Sequence, residues 1–215
     1  NHPEKFSPNV IMRPLYQEVI LPNLCYIGGG GEIAYWLELK SFFAAAKITF
    51  PMLLLRNSVL LATEKQAKKA DKLNLSWKDL FSKQADLVNT KTTEFSDFPI
   101  DLTHLKEQLQ KQFIALYEVA NKTDESFIGA VKAQEVKQIK GLENLEKRLL
   151  KAQKRKLSDI LQRITDLQNE LFPNQSLQER QTNFSEFYLE NGDNIIPTLI
   201  EQLKPLDNKF DIIVL

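Results

Sequence analysis

The sequence predicts an α/β fold in which a long helical arm interrupts an α/β core. Three stretches indicate this arrangement. An apolar run, four glycines and a helical pattern follow one another over residues 21–36. No proline occurs over residues 101–171, where apolar residues recur every three or four positions. Residues 209–215 have the composition of a final strand, so strands lie on both sides of the helical arm.

Length and composition are ordinary, since 215 residues suffice for one or two domains. The 28 basic and 28 acidic residues balance, which gives no support to a general nucleic-acid or polyanion binder. A single cysteine, Cys25, excludes an internal disulfide and favours the reducing cytoplasm. No apolar run approaches the roughly 20 residues of a membrane span, and no signal peptide opens the chain. The missing initial Met favours a processed or truncated fragment.

The glycine run separates two patterns of different period. Residues 24–27 form a short apolar run typical of a buried strand in a parallel sheet, and from Glu32 onward the spacing is helical. Backbone N–H groups at such a turn could hold a phosphate or carboxylate near the helix dipole, or the glycines could simply permit a tight turn. Ile33 stands where G-x-G-x-x-G needs its third glycine, and no G-K-[ST] follows, so neither nucleotide motif is present.

The segment before the glycines is predicted to begin with a strand over residues 9–13. Pro14 closes this strand, because proline lacks an N–H and fixes its own φ, which suits the first turn of a helix. That helix is predicted to run to about Ile20 and to stop before Pro22.

After the glycines, Pro51 introduces two apolar runs that flank Arg56 and Asn57. This polar pair fits either a strand end at a functional site or a turn, which asparagine favours. A basic helix is predicted over residues 63–74, and its lysines form a solvated face or guide an anionic substrate. Ser76 is a suitable N-cap for the helix that follows.

The arm is predicted to contain two helices that form an antiparallel coiled coil. The first runs from residue 101 to about Asn121, and a turn precedes a much longer helix from about Asp124 to residue 171. In this second helix, the apolar positions before and after Gln153 are out of register with each other by one residue. Such a stutter locally loosens a supercoil. At about 1.5 Å per residue the second helix extends roughly 70 Å, further than the first can cover. Either the core domain or a second copy of the chain could cover its exposed seam, and we favour a homodimer.

The last segment is predicted to return to the core. Ser176 and Glu179 form a capping box that opens a helix, and a further helix near residues 195–203 precedes the final strand. Three predicted domains follow from these elements: 1–99 for part of the core, 100–172 for the coiled-coil arm and 173–215 for the return to the core.

The sequence carries little conventional catalytic chemistry. His2 and His104 have no cysteine or carboxylate cluster at metal-ligand spacing, so no metal site is expected. No G-x-S-x-G elbow is present, and Cys25 in its apolar run is typical of a packing residue. The polar candidates around the glycines combine guanidinium groups, which bind carboxylates or phosphates, with hydrogen-bonding groups. They are Arg13, Gln17, Glu18, Glu32, Tyr35, Arg56 and Asn57.

Two blocks of the sequence resemble the bacillithiol biosynthesis cysteine-adding enzymes, a family of cysteine ligases. The first combines RPLYQE at residues 13–18 with IGGGGEIAYW at residues 27–36. The second is LFPNQSLQER at residues 171–180. The likeness extends over all 215 residues, but it matches only the C-terminal portion of the longer family members.

The resemblance implies a partial Rossmann-like core with the coiled coil inserted, in a cytoplasmic ligase that joins L-cysteine to the amino group of glucosaminyl malate through an amide bond. It implies ATP or ADP as the nucleotide and a homodimer formed through the arm. It places the polar candidates at a substrate- or nucleotide-binding pocket with Gly28, Gly29, Gly30 and Gly31. The fragment alone is expected to be inactive, because the N-terminal part would supply other pocket groups. The alternative is a non-catalytic coiled-coil dimerisation or interaction module.

Overall fold

The computed structural model describes residues 2–215, and the chain divides into two compact units. One unit combines the stretch up to Ala62 with Thr182–Leu215, and the other is Thr63–Gln181. The boundaries predicted after residues 99 and 172 stay predictions.

The first unit contains both helices and strands, whereas the described elements of the second unit are helices and 3-10 turns. Up to Ala62 the chain forms a 3-10 turn Pro3–Lys5, α1 Met12–Ile20, β1 Cys25–Gly28, α2 Gly30–Glu38, α3 Lys40–Ala45, β2 Met52–Leu55 and β3 Ser58–Ala62. The second unit follows with α4 Glu64–Lys72, α5 Trp77–Leu80, α6 Gln84–Glu94, α7 Thr103–Ala120, α8 Glu125–Lys156, α9 Ser158–Leu171 and 3-10 turns Pro173–Gln175 and Gln178–Arg180. The first unit resumes with α10 Phe184–Asn191, a 3-10 turn Gly192–Asn194, α11 Ile195–Gln202 and β4 Phe210–Val214.

Parallel strand pairs organise the first unit. β1 pairs with β2, with Gly28 opposite Leu55. β3 pairs with β4, with Ser58 opposite Phe210, as the predicted return of the final strand requires. Because β4 comes from the end of the chain, this second pair joins the two stretches of the unit.

An aromatic core lies beneath the β1–β2 pair. Trp36 and Phe43 are fully buried and pack with Leu15 of α1. The Tyr26 ring stacks on the Trp36 indole with 4.1 Å between ring centroids. Such ring contacts stabilise the core beyond the burial of apolar surface. They also hold the Tyr26 side chain in place just before the glycines.

β1 is a parallel strand, as predicted, but the prediction that it is buried is wrong. Side chains of a strand alternate between faces, and only the face of Tyr26 packs on the aromatic core. On the opposite face, Ile27 is 61% exposed and Met52 of β2 is 68% exposed. An apolar run predicts that a strand prefers burial, but it cannot show which face finds a partner.

The predicted strand over residues 9–13 is also wrong, because α1 begins within it. The Asn9 side-chain oxygen accepts hydrogen bonds from the backbone N–H groups of Ile11 at 3.2 Å and Met12 at 2.9 Å. This capping satisfies donors that a helix start leaves free, so the helix begins two residues before Pro14. Its predicted end at Ile20 is confirmed.

In the second unit, α7 and α8 run in opposite directions. Lys106 pairs with Glu146, and the Tyr117 hydroxyl donates to Glu135 at 2.9 Å. The predicted turn between the helices is confirmed, and the Asp124 carboxylate accepts from backbone N–H groups of the first turn of α8.

The prediction of one continuous helix up to residue 171 is wrong. α8 ends at Lys156, Leu157 has φ −97° and ψ 15°, and α9 starts at Ser158. α9 packs against α6, a helix that the sequence did not reveal. The Gln168 side chain donates to the backbone oxygen of Leu80 at 3.0 Å. The apolar stripe of α9 is buried: Leu161, Ile164, Leu167 and Leu171.

A buried lysine stabilises the second unit around α6. The Lys91 side chain is 4% exposed, and its ammonium group donates to Glu94 at 2.7 Å and to the backbone oxygen of Asn74 at 2.8 Å, with Asp79 at 3.2 Å. Burial lowers the pKa of Lys91, but the hydrogen bonds to Glu94 and Asp79 outweigh it and raise this pKa above its ordinary value.

The predicted capping box at Ser176 does not open an α-helix. The chain there forms only the 3-10 turn Gln178–Arg180. α10 begins later, where the Asn183 side chain accepts from the Ser185 N–H at 2.9 Å. The predicted helix near residues 195–203 and the final strand are confirmed as α11 and β4.

Candidate functional site

The parallel pairing of β1 and β2 brings two predicted site segments to one edge of the sheet. Both strands end at the same level, with Gly28 opposite Leu55. The Arg56 N–H donates to the Gly28 oxygen at 2.8 Å, which continues the pairing past the end of β2. The glycine loop and Arg56 are therefore neighbours at the carboxyl edge, where open α/β sheets bind their ligands.

Close packing requires glycine at position 28 but not at positions 30 and 31. A Cβ atom at Gly28 would lie 2.8 Å from Tyr26 Cε1 and 3.2 Å from Glu32 Cβ. A Cβ atom at Gly30 or Gly31 would meet nothing within 4 Å. Gly28 therefore permits the strand to pass against the Tyr26 ring, whereas Gly30 and Gly31 leave the first turn of α2 open.

The amino end of α2 already carries a negative charge. The Gly29 N–H donates to Glu32 Oε2 at 2.8 Å, so the carboxylate lies at the positive end of the helix dipole. This arrangement stabilises α2, and it repels a second anion at the same place. The glycine loop as an anion site stays a prediction, with Glu32 as its competitor.

Tyr26 is a component of this region that sequence reasoning missed. Burial raises the pKa of its hydroxyl, and the negative charge of Glu32 adds to the effect. The positive charge of Arg13 acts in the opposite direction. Tyr26 therefore lies within electrostatic range of both Glu32 and Arg13. The available signal was the position of Tyr26, two residues before the glycines in an alternating strand.

Two residues of α1 have structural partners. Glu18 is 4% exposed. Its Oε2 accepts from the Asn23 N–H at 2.8 Å, and its Oε1 accepts from Asn23 Nδ2 at 3.0 Å and from Gln17 Nε2 at 3.4 Å. Both carboxylate oxygens thus hold the turn after α1. Tyr35 is half-buried and packs against the aromatic core. These side chains support the site, whereas Arg13 and Arg56 remain exposed.

Arg56 and Asn57 form the two-residue link between β2 and β3. Among the described residues, Arg56 makes no ion pair. The Asn57 side chain donates to the Lys204 oxygen at 3.3 Å, which ties the link to the turn before β4. The structure thus places the Arg56 backbone beside Gly28, while the Asn57 side chain is held by the Lys204 oxygen.

Other features of the described chain lie apart from these residues. Cavities of about 450 and 660 Å³ lie along α7 and α8, and no predicted site residue lines either one. Within residues 2–215, no group of three or more His, Cys, Asp or Glu side chains is placed to hold a metal ion. No helix in that range combines the length and apolar character needed to cross a membrane.

Comparison with known families decides the relationship of this chain. A model described as the bacillithiol biosynthesis BshC C-terminal coiled-coil domain matches residues 59–215. The chain belongs to the BshC family. A second model, described as the BshC N-terminal Rossmann-like domain, matches residues 1–57. The resemblance to the cysteine-adding enzymes is thereby confirmed, and the two matches meet at the Arg56–Asn57 link.

Relatives named "Putative cysteine ligase BshC" extend this result. The Flavobacterium johnsoniae protein is 76% identical over 215 residues, which are all of this chain and 41% of that relative. The Christiangramia forsetii protein is 66% identical over 213 residues, or 99% of this chain and 40% of the relative. The more distant Bacillus mycoides protein is 30% identical over 216 residues, again 99% and 40%. The chain spans about two fifths of the length of these relatives.

Proposed function

We propose that this chain is the C-terminal part of a ligase that joins L-cysteine to the amino group of glucosaminyl malate in bacillithiol biosynthesis. The proposal depends on the family match, which covers the chain on both sides of the Arg56–Asn57 link, together with the name of the F. johnsoniae relative. The enzyme acts in the cytoplasm and uses ATP to activate the carboxylate.

The carboxyl edge of β1 and β2 is the part of the pocket that this chain supplies. Its free guanidinium group at Arg56 suits a carboxylate or phosphate, because arginine presents paired N–H donors to two oxygens. Glu32 accepts from Gly29 and holds the loop, and Tyr26 lies within electrostatic range of both Glu32 and Arg13. ATP, when bound, supplies the leaving group that a carboxylate lacks. The protein groups bind and orient the charged reactants.

The arm adds dimerisation through an antiparallel coiled coil built on α7 and α8. Apolar side chains remain outside the helix pair: Leu145 is 53% exposed and Val136 is 46% exposed. A shallow cavity of about 660 Å³ runs between the helices near Gly141. These exposed apolar positions also favour the second candidate, an interaction module without catalysis. A Leu145→Glu variant should weaken self-association measured by light scattering, whereas Lys140→Glu on the same helix should not.

A chimera tests the ligase proposal. The C-terminal two fifths of the F. johnsoniae relative are replaced by this chain, which is 76% identical to them. Glucosaminyl malate, L-cysteine and ATP are supplied, and mass spectrometry follows the amide-linked thiol and the nucleotide product. We expect product from the chimera and from the parent relative, and loss of product without ATP.

The Arg56→Ala chimera should lose at least about tenfold in rate, because a charged hydrogen bond to a reactant is removed. Lys204→Ala is the matched control, because it also removes one positive charge from the same region. A folded chimera that forms no product while the parent does would contradict the proposal. If the parent relative also forms no amide-linked thiol, the substrate assignment is wrong, and the non-catalytic interaction module becomes the better hypothesis.

A further inference from the structure

We infer that a cavity at the end of β2 and the start of β4 is an oxyanion subsite, in which Arg56, Asn57 and Lys209 hold a phosphate or carboxylate group. The inference deepens the proposed function and rests on it for the substrate class. The inferred anion site is this cavity, which lies on the other side of the Arg56–Asn57 link from the amino end of α2.

Strand register brings these residues together from distant parts of the chain. Ser58 of β3 lies opposite Phe210 of β4. The residues that immediately precede these strands, Asn57 and Lys209, therefore lie side by side at the amino edge of this pair. All of them line a cavity of about 260 Å³, which also includes Arg56. The cavity thus joins the carboxyl edge of one strand pair to the amino edge of the other.

The charges of this cavity favour an anion. Among the described residues, neither Arg56 nor Lys209 makes an ion pair. The acidic residue of the same turn, Asp207, does not line the cavity. The glycine loop differs, because the Glu32 carboxylate already occupies the amino end of α2. An incoming oxyanion therefore finds two free cations at the cavity and a carboxylate at the loop.

The turn before β4 holds Lys209 in place for this role. Asn208 has φ 47°, in the left-handed region that asparagine tolerates, and the Asp207 N–H donates to the Lys204 oxygen at 3.2 Å. The same Lys204 oxygen accepts from the Asn57 side chain. The two sides of the cavity are therefore fastened to each other through one carbonyl group. A volume of this size accommodates a diphosphate or a dicarboxylate rather than a whole nucleotide.

The test is anion titration of the 215-residue chain by ¹H–¹⁵N NMR at constant ionic strength. The probes are inorganic pyrophosphate and L-malate, which separate a phosphate from a carboxylate source, with chloride as the control. We expect saturating shifts at Asn57 and Lys209 for at least one probe, with a dissociation constant of about 1 mM or below. Lys209→Ala and Arg56→Ala should each weaken binding about tenfold, because each removes a charged donor.

Lys204→Ala is the matched control, since this lysine lies in the same turn but does not line the cavity. Its effect should stay within about twofold. Equal weakening by Lys204→Ala and Lys209→Ala would show a general effect of charge and overturn the subsite. So would shifts centred on Gly30 and Gly31, or no saturation with either probe. The titration measures binding without turnover. Absence of anion binding would therefore not change the conclusion from the chimera, and absence of product from the chimera would not change the conclusion from the titration.

Discussion

Gly28→Ala is expected to destabilise the first unit through a single steric contact. The new Cβ atom would lie 2.8 Å from Tyr26 Cε1, whereas carbon atoms normally approach to about 3.5 Å or more. The Tyr26 ring cannot move away freely, because its other neighbour is the Trp36 indole at a centroid distance of 4.1 Å. The strand or the stacked pair must therefore shift by several tenths of an ångström.

The expected cost follows from overpacking. Inserting a methyl group into a packed region costs about 1–3 kcal/mol, and the reduced entropy of the unfolded chain returns about 0.4–1 kcal/mol. We therefore expect a net loss of about 1.3 kcal/mol in the free energy of unfolding at the midpoints of these ranges, and of about 2.6 kcal/mol at most. Gly30→Ala is the matched control, because a Cβ there meets nothing within 4 Å. That change should be neutral or slightly stabilising, since alanine favours the helix.

Urea denaturation followed by tryptophan fluorescence measures this difference. The chain has two tryptophans, Trp36 in the first unit and Trp77 in the second. A Trp77→Phe background leaves Trp36 as the probe, which reports on the unit that carries the change and avoids a two-state treatment of the whole chain. If Gly28→Ala and Gly30→Ala had the same unfolding free energy, the packing argument for Gly28 would be refuted.

Three further changes test other parts of the structure. Lys91→Met should lower the stability of the second unit by about 1–3 kcal/mol in urea denaturation, because it leaves the hydrogen-bonding partners of Lys91 unpaired. Lys72→Met should have little effect, because Lys72 of α4 is exposed. Burial raises the pKa of Asp79, but hydrogen bonds from Ser76 and Lys91 outweigh it and hold this pKa below its ordinary value. The charged Asp79 carboxylate therefore stabilises the fold fully at pH values above its pKa in the unfolded chain, about 4, and this stabilisation is lost as the pH falls through its pKa in the folded protein. Asp79→Asn should flatten that part of the curve of stability against pH. Glu32→Gln should cost about 0.3–1 kcal/mol by removing a charge from the end of α2, and it should increase phosphate-induced NMR shifts in the glycine loop; unchanged shifts would count against Glu32 as a competitor.

Local patterns in the sequence predicted much of the chain. The turn before Asp124, the N-cap at Ser76 and the final strand all follow from short-range chemistry that a linear pattern records. The start of α1 was missed because Pro14 was taken as the first helical residue, whereas the side chain of Asn9 caps the helix earlier.

Long-range packing explains the other differences. The apolar stripe up to residue 171 is continuous enough to predict one helix, but α9 buries its stripe against α6 after the break at Leu157. No local pattern reveals that partner. The candidate site shows the same limit: Arg56 was recognisable by residue type, whereas Lys209 comes to the same cavity only through the register of β3 and β4.

The Arg56–Asn57 link explains why the site needs both stretches of the first unit. β2 pairs with β1 from the early part of the chain, and β3 pairs with β4 from its end. Two residues must therefore connect strands that belong to different pairs. The Arg56 backbone is held by the Gly28 oxygen, and the Asn57 side chain is held by the Lys204 oxygen. Each anchor comes from a different stretch, so both residues of the link are held only when the end of the chain has returned to the strands that begin it.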